Sequence, residues 1–229
     1  MSDESRFLGI VQDRSAERSV PLHRPHIARL PEPTRYFAVS KRLFDILVAL
    51  ASAPAVVLIA LALVVANPVW NRGPLLFAQK RMGRNCKPFT AYKFRTMAPC
   101  ERAPRGPDDP VETHRITRLG NWLRKTRIDE FPQFFNVFRG DMSLVGPRPD
   151  QWDHARHYVA TVPGYRDRHR VRPGITGLAQ VAHGYAEGLD ATAAKARVDL
   201  AYIRKANWGT DLRIILGTIR VMFTGFGAR

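Results

Sequence analysis

The order of polar and apolar positions divides the chain into stretches of distinct character. Residues 1–38 mix Arg, Pro, His, Ser and Glu with neither helical nor strand period, the composition of a flexible, weakly basic leader. No apolar core falls in the window of a signal peptide, so the leader is not read as one. From Ile46 to Ala66, 21 consecutive residues carry no charge. As a helix they extend about 31 Å, the thickness of a bilayer's hydrocarbon core. Pro54 interrupts the stretch after Ser52 and Ala53, where it removes a helical hydrogen bond and clashes with the preceding turn. Lys41 and Arg42 precede the segment, while Arg72, Lys80, Arg81, Arg84 and Lys87 follow it. Cations on both flanks define no outer end. The pattern predicts a re-entrant membrane helix hairpin over 39–70, broken at Pro54, with a kinked span and a buried soluble helix as alternatives.

Beyond Gly73-Pro74 the period changes. Leu75–Arg81 and Pro88–Met97 read as two strands joined by a turn around Gly83-Arg84-Asn85. In the second strand a period of two places Lys93 and Arg95 on one face and Tyr92 and Phe94 on the other. Cations two residues apart in a strand lie about 7 Å apart, a spacing that suits the adjacent phosphates of a diphosphate; a solvated strand face is the plainer reading. Residues 98–112, rich in Pro, Arg and Asp, read as a mobile loop. Ile116, Leu119, Leu123 and Ile128 then recur at helical spacing beside Trp122, with Arg115, Arg118, Arg124, Lys125 and Arg127 between them. Such a helix suits an anionic membrane surface or ordinary packing on a core. From Asp211 onward, Leu212, Ile215, Leu216, Ile219, Met222 and Phe223 make a second helical stripe. The fold class expected is α+β: the membrane hairpin, then a helix-rich cytoplasmic domain over 71–229 with a small β-hairpin and membrane-surface amphipathic helices.

The length of 229 residues suits one cored domain with appendages. Of the net charge of +16, +14 falls after residue 66. That field favours anionic partners: nucleic acid, acidic headgroups or phosphorylated small molecules. No nucleic-acid-binding module or stacking platform accompanies the charge, so nucleic acid is not an expected partner. Cys86 and Cys100 lack CxxC spacing and a neighbouring His pattern, so neither a zinc site nor a disulfide framework is indicated.

The densest chemistry lies in residues 126–149, TRIDEFPQFFNVFRGDMSLVGPRP. Thr126 with Asp129 three residues later has the form of a capping box. Pro132 suits a first helical turn and Gly140 a stop. Asp129 and Glu130 then sit near a helix N-terminus, which favours ionised carboxylates, as a nucleophile or divalent-cation ligand requires; plain capping is the other reading. Gly146-Pro147-Arg148-Pro149 is a stiff turn that presents a guanidinium with little freedom to lose, suited to bidentate phosphate binding. Arg172-Pro173-Gly174-Ile175-Thr176-Gly177 is a second rigid turn.

These motifs occur together and in order: KRLFDILVAL leading the apolar segment, YKFRTM at 92–97, RITRLGNWLRKTRIDEFPQ at 115–133, GDMSLVGPRP at 140–149, RPGITGLAQV at 172–181 and DLAYIRKANWGTDLRIIL at 199–216. In this they resemble the monotopic phosphoglycosyl transferases, the bacterial polyprenyl-phosphate sugar-phosphate transferases, over about residues 40–225. The resemblance implies that Asp129 attacks the phosphorus attached to the sugar of a UDP-sugar donor and releases UMP. Polyprenyl (undecaprenyl) phosphate then takes the phosphosugar from the aspartyl intermediate, the first membrane step of exopolysaccharide, capsule or lipopolysaccharide assembly. It also implies Mg²⁺ held by Glu130 with Asp129, and a substrate pocket containing Lys93, Arg95, Arg148 and Gln180. Supporting roles fall to Asp141, Asp199 and Tyr202. The implied location is the bacterial inner membrane with the catalytic domain facing the cytoplasm. Association of identical copies is compatible with the sequence. The stretch 182–192 resembles the loop of hexose-1-phosphate transferases, with UDP-glucose the first donor expected and UDP-galactose the second. The chain departs from the family pattern at Ala53-Pro54, where Ser-Pro is usual, at Ile128 and Phe131 around the acidic pair, and at 205–210, where a second aromatic is missing. A nucleic-acid-binding protein and a non-enzymatic membrane scaffold are the rival classes; neither accounts for the acidic pair beside rigid arginine turns.

Overall fold

The computed structural model of the protein describes residues 33–99, 106, 109, 112–183 and 189–224. Most of the loop at 98–112, the first 32 residues of the leader and the middle of the stretch 182–192, residues 184–188, lie outside the described residues. Helix α1 spans Arg35–Trp70, beginning within the stretch read as leader. Its N-cap is Thr34, whose hydroxyl accepts from the Phe37 amide at 3.3 Å. The helix is continuous through Pro54 and Pro68, with no interruption of helical backbone. A hairpin of two separate helices is therefore not what this segment forms. One missing hydrogen bond at Pro54 costs less than exposing the several backbone groups of an opened turn. Just before it, the Ser52 hydroxyl donates to the Val48 carbonyl at 2.8 Å, a back-bond of the kind that bends helices.

Among the described residues this is one helix long and apolar enough to cross a membrane. Yet both of its ends are fastened to the rest of the protein. At the first end Lys41 pairs with buried Asp211. Arg42 donates to the carbonyls of Val137 at 2.6 Å and Phe138 at 2.8 Å, and Asp45 accepts the Leu144 amide at 3.0 Å. Trp208 meets Phe37 and Phe44 edge-on and donates to Ser40 at 3.1 Å. At the other end Asn67 donates to the Gly73 carbonyl at 2.6 Å, Asn71 donates to the Arg95 carbonyl at 2.7 Å, and Leu63 packs on Phe94 and Leu123. Between these anchors Leu50, Val57, Leu58 and Leu61 are exposed.

Strands β1 (Leu76–Met82) and β2 (Pro88–Phe94) form the expected antiparallel hairpin, with Phe77 opposite Lys93 and Arg81 opposite Phe89. Helix α2 (Arg118–Lys125) buries Leu123 and leaves Trp122 exposed. A short 3-10 turn over Ile128–Glu130 leads to α3 (Gln133–Arg139), which stops at Gly140 with φ +92, a conformation that glycine adopts without a Cβ clash. Asn136 of α3 lies along the edge of β2, accepting from the Tyr92 amide at 3.2 Å and donating to the Thr90 carbonyl at 2.7 Å.

Two pieces of the core carry no period a reader could use. Strands β3 (Ser143–Val145) and β4 (Gly174–Thr176) pair in parallel. The backbones approach so closely that a Cβ on Gly174 would lie 2.2 Å from the Gly146 amide nitrogen. Helix α4 (Trp152–Thr161), a 3-10 stretch over Tyr165–Arg170, α5 (Leu178–His183) and α6 (Leu189–Arg204) then lead to α7 (Trp208–Thr224). Ile214 of α7 enters the core with Val137, Met142 and Val145, whereas Leu212, Leu216 and Ile219 face out. The α7 stripe read from sequence is thus divided: Leu212, Leu216 and Ile219 are exposed, while Ile215 is partly buried against the core.

Arg95 joins α1 to the hairpin. Its guanidinium donates to the Pro74 carbonyl at 2.7 Å, the Met97 carbonyl at 2.8 Å and the Asn71 side chain at 3.1 Å, and also to the Asn71 carbonyl that ends the helix. Lysine keeps the charge but not the fork. Arg95→Lys is expected to lower the melting temperature through loss of on the order of 3 kcal/mol of charge-assisted bonds, which thermal melts of the variant beside the parent protein check.

Candidate active site

Helix α2 closes before the acidic pair: the Thr126 hydroxyl donates back to the Trp122 carbonyl at 2.9 Å and the Leu123 carbonyl at 3.2 Å. It therefore ends one helix rather than capping the next, because its nearest unpaired groups are carbonyls behind it. Arg127 then takes a left-handed conformation with φ 59, and the chain turns sharply into Ile128–Glu130. For a non-glycine residue that costs about 1–2 kcal/mol; the strain is stored beside the two acids it delivers to the interior. Asp129 and Glu130 are both buried.

Their surroundings differ. Arg148 forks onto Glu130, with one nitrogen 2.9 Å from Oε2 and the other against Oε1. Lys93 Nζ donates to Glu130 Oε1 at 2.9 Å. Among the described residues the ion pair of Asp129 is with Lys93 alone, and at 3.9 Å it is longer than a hydrogen bond. Burial pushes the Glu130 carboxyl upward, but the charges and hydrogen bonds of Arg148 and Lys93 outweigh it and hold the group well below the usual range. For Asp129 burial wins: its pKa is raised, with Lys93 opposing and the Glu130 charge adding to the rise. Burial also lowers the pKa of Lys93, against the pull of Glu130.

Arg148 is itself held from behind. The fully buried Arg168 donates to the Arg148 carbonyl at 2.7 Å, to Asp150 at 2.5 Å, to Asp199 at 2.9 Å and to the Tyr165 hydroxyl at 3.0 Å. Lys195 donates to the other oxygen of Asp150 at 2.6 Å. From in front, the Gly146 amide donates to the Thr176 carbonyl at 2.9 Å and the Gly174 amide to the Pro147 carbonyl at 3.0 Å. The two rigid turns of the sequence thus interlock, and the guanidinium is aimed with little remaining freedom.

Of the residues singled out from sequence, the structure brings Asp129, Glu130, Lys93 and Arg148 into one cluster. Gln180 stands at its edge, sharing the Ile175 carbonyl with Arg148 at 3.5 and 3.4 Å, and its Oε1 is buried without a partner. Arg95 is not in the cluster; its fork is spent on the end of α1. Asp199 acts through Arg168, Tyr202 donates to Asp211 at 2.8 Å, and Asp141 accepts from Asn136 at 3.3 Å. Sequence reasoning passed over Arg168, Asp150 and Lys195, since YRDRHR presents several arginines alike, and it passed over Arg81. Arg81 bonds the Pro149 carbonyl at 2.7 Å and shares a hairpin face with Lys93, a relation that the register of the two strands could have suggested.

The donor chemistry fits a hard divalent cation. No group of three or more His, Cys, Asp or Glu is gathered among the described residues, but Mg²⁺ needs only one or two carboxylates alongside substrate phosphates, and Asp129 with Glu130 supply that number.

The profile of the family described as Bacterial sugar transferase matches residues 36–225. The chain belongs to that family. It is 43% identical over 199 residues to the UDP-N-acetylgalactosamine-undecaprenyl-phosphate N-acetylgalactosaminephosphotransferase of Aeromonas hydrophila, covering 86% of this chain and 47% of that protein. It is 41% identical over 196 residues to the exopolysaccharide production protein PSS of Rhizobium leguminosarum bv. phaseoli, covering 79% and 94%. A third relative, the UDP-glucose:undecaprenyl-phosphate glucose-1-phosphate transferase of Klebsiella pneumoniae, is 40% identical over 192 residues, covering 82% and 40%. The chain thus spans less than half the length of the Aeromonas and Klebsiella relatives. The acidic pair, Lys93 and Arg148 all lie within the matched region.

The opposite pKa shifts of the two family acids give opposite effects on stability. Asp129 binds its proton more tightly folded than unfolded, so its contribution is greatest below the unfolded pKa and declines as pH rises through the folded one. Glu130 contributes above its unfolded pKa and loses that contribution as pH falls through the depressed one. At neutral pH, Asp129→Asn is expected to raise the melting temperature. Glu130→Gln is expected to lower it, breaking a buried pair at a cost of about 3–5 kcal/mol. Calorimetry of both variants at pH 7 checks the signs.

Proposed function

We propose that the protein transfers a hexose 1-phosphate from a UDP-sugar to undecaprenyl phosphate through a phosphosugar-aspartyl intermediate on Asp129. The observation that carries this reading is the asymmetry of the acidic pair. Glu130 is met by two cations, whereas among the described residues the Asp129 carboxylate makes no hydrogen bond and its ion pair with Lys93 is 3.9 Å long. An anion with weak contacts and a raised pKa is the better nucleophile of the two. A carboxylate oxygen of Asp129 attacks the sugar-bearing phosphorus, and the bond from that phosphorus to the bridging oxygen breaks, so UMP leaves with the electron pair. An oxygen of undecaprenyl phosphate then attacks the same phosphorus. The Asp129 carboxylate departs, leaving sugar diphosphoundecaprenol. Arg148 and Lys93 bind and orient the diphosphate, and their charge stabilises the build-up of negative charge at phosphorus. Glu130 with Asp129 would hold Mg²⁺, whose charge would add to that neutralisation.

The surface agrees with a lipid acceptor. Exposed Leu43, Leu47, Leu58 and Leu61 of α1, Trp122 of α2, Phe135 and Phe138 of α3, and Leu212 and Leu216 of α7 present apolar area that water disfavours. Because both ends of α1 bind one folded body, a bilayer-crossing path would have to separate anchors that the fold holds on one side. We therefore read α1 as entering the membrane from the cytoplasmic face and returning to it, bent near Pro54 but not broken. The relatives' names point to UDP-glucose and UDP-N-acetylgalactosamine as donor classes and to exopolysaccharide as a product, and UDP-galactose completes the panel.

UMP release from these UDP-sugars in the presence of undecaprenyl phosphate is the test. Wild type is expected to turn over at least one donor, and Asp129→Asn none. Glu130→Gln is expected to fall by on the order of 100-fold, about 2.7 kcal/mol, and to regain part of its rate as Mg²⁺ is raised. Full turnover by Asp129→Asn, or no release with any UDP-sugar, would overturn the reading.

A further inference from the structure

Arg168 reaches inward to Arg148, but its neighbours on the same 3-10 turn face a second cavity. This turn, Tyr165–Arg170, packs against the tip of the β1–β2 hairpin. Between them lies a space of about 300 Å³ lined by Asn85, Cys86, Arg166, Asp167, His169 and Arg170. None of these residues contributes to the acidic site. His169 is 4% exposed, and its Nε2 has no hydrogen-bond partner. Its other ring nitrogen bonds the Gly83 backbone, and burial together with the Arg168 charge pushes its pKa down to about 3. The ring is therefore neutral, and with one nitrogen donating to the backbone, Nε2 is left as a buried acceptor in need of a hydrogen. An unpaired buried polar atom costs about 1–3 kcal/mol. The hairpin tip adds a second cost: Asn85 and Cys86 both take left-handed conformations, with φ 57 and 58.

The lining states what a ligand must offer. Arg166 and Arg170 are exposed residues that line the cavity, and their positive charge favours anionic oxygens there. Arg166 also hydrogen-bonds the Cys86 thiol, so the thiol reports on events at that arginine. Nε2 requires a ligand hydrogen, and the Asp167 carboxylate disfavours a fully ionised dianion. A phosphomonoester that is singly protonated or carries a hydroxyl meets all of these requirements; sulfate offers the oxygens without the hydrogen. The strand runs from exposed Leu76 and Phe77 to this tip over about 20 Å, which places the cavity away from the apolar edge and favours a soluble ligand over a headgroup. We propose that this cavity is a second anion site, binding a soluble phosphomonoester whose oxygens meet Arg166 and Arg170 and whose hydrogen is accepted by His169 Nε2.

The thiol of Cys86 makes the site measurable. The full-length protein in nanodiscs is alkylated in chloride, sulfate or inorganic phosphate at matched ionic strength, and rates are read by peptide mass spectrometry with Cys100 as internal reference. For a Kd of about 1 mM, about 10 mM phosphate is expected to slow Cys86 alkylation on the order of tenfold, and sulfate much less. Glycerol 3-phosphate should protect as phosphate does. Arg166→Ala, at an exposed position, should abolish protection with an unchanged melt, and His169→Leu, where it folds, should erase the preference for phosphate over sulfate. Equal alkylation in chloride and phosphate would overturn the proposal, as would protection that survives Arg166→Ala. Equal protection by sulfate and phosphate would remove the role of His169. Protection by phosphatidic acid vesicles without protection by phosphate would make the ligand a membrane lipid and refute the soluble assignment. The readout does not depend on turnover, so it stands apart from the transferase reading.

Discussion

Glu130 can remain ionised inside the protein only because Arg148 and Lys93 meet it there, and most of the site's architecture follows from that requirement. A buried carboxylate forfeits several kcal/mol of hydration unless a well-placed counter-charge replaces it. Arg148 is well placed because two prolines stiffen its turn, β4 closes over it and Arg168 grips its carbonyl. Arg168 is tolerated in the core because Asp150 and Asp199 neutralise it. The chain of dependence thus runs from one buried carboxylate to a charge network behind it. Loss of any link leaves a charge uncompensated rather than merely a contact missing.

Adjacent residues in a tight turn cannot share one environment, and the fold uses that fact. Glu130 faces the two cations; Asp129, one position earlier, gets only the distant edge of Lys93. One acid is held ionised and fixed, while the other carries a costly, weakly solvated charge. In the reaction proposed above, cations already in place would need little reorganisation, and the stability given up at Asp129 would be exchanged for reactivity there.

The elements legible in the sequence were those with a period or a stop signal. Alternation located the hairpin and set Lys93 on the face opposite Tyr92 and Phe94, Gly140 marked the end of α3, and an uncharged run marked α1. Residues whose roles depend on tertiary geometry were harder to read. Arg95 has the same spacing from Lys93 that a phosphate grip would require, yet its fork faces the end of a helix whose position no local pattern encodes. Pro54 signals a local loss of hydrogen bonding without saying whether the helix breaks or bends. Thr126 could serve either neighbouring helix, and the carbonyls behind it decided the outcome. Arg168 is chemically identical to the exposed arginines beside it, and only burial separates them. The acidic pair and Arg148 stood out through the resemblance carried by the ordered motifs, since capping and turn chemistry alone explain them as well; the network behind them carried no such mark.

The central claim, that Asp129 and not Glu130 receives the phosphosugar, is tested most directly by mapping the modified residue. The wild-type enzyme is mixed with UDP-sugar and Mg²⁺ without undecaprenyl phosphate, quenched, digested and analysed by mass spectrometry. A hexose-phosphate mass increment confined to Asp129 is expected, and it should disappear when the acceptor lipid is added before the quench. An increment on Glu130, or turnover on an enzyme that never acquires one, would contradict the claim.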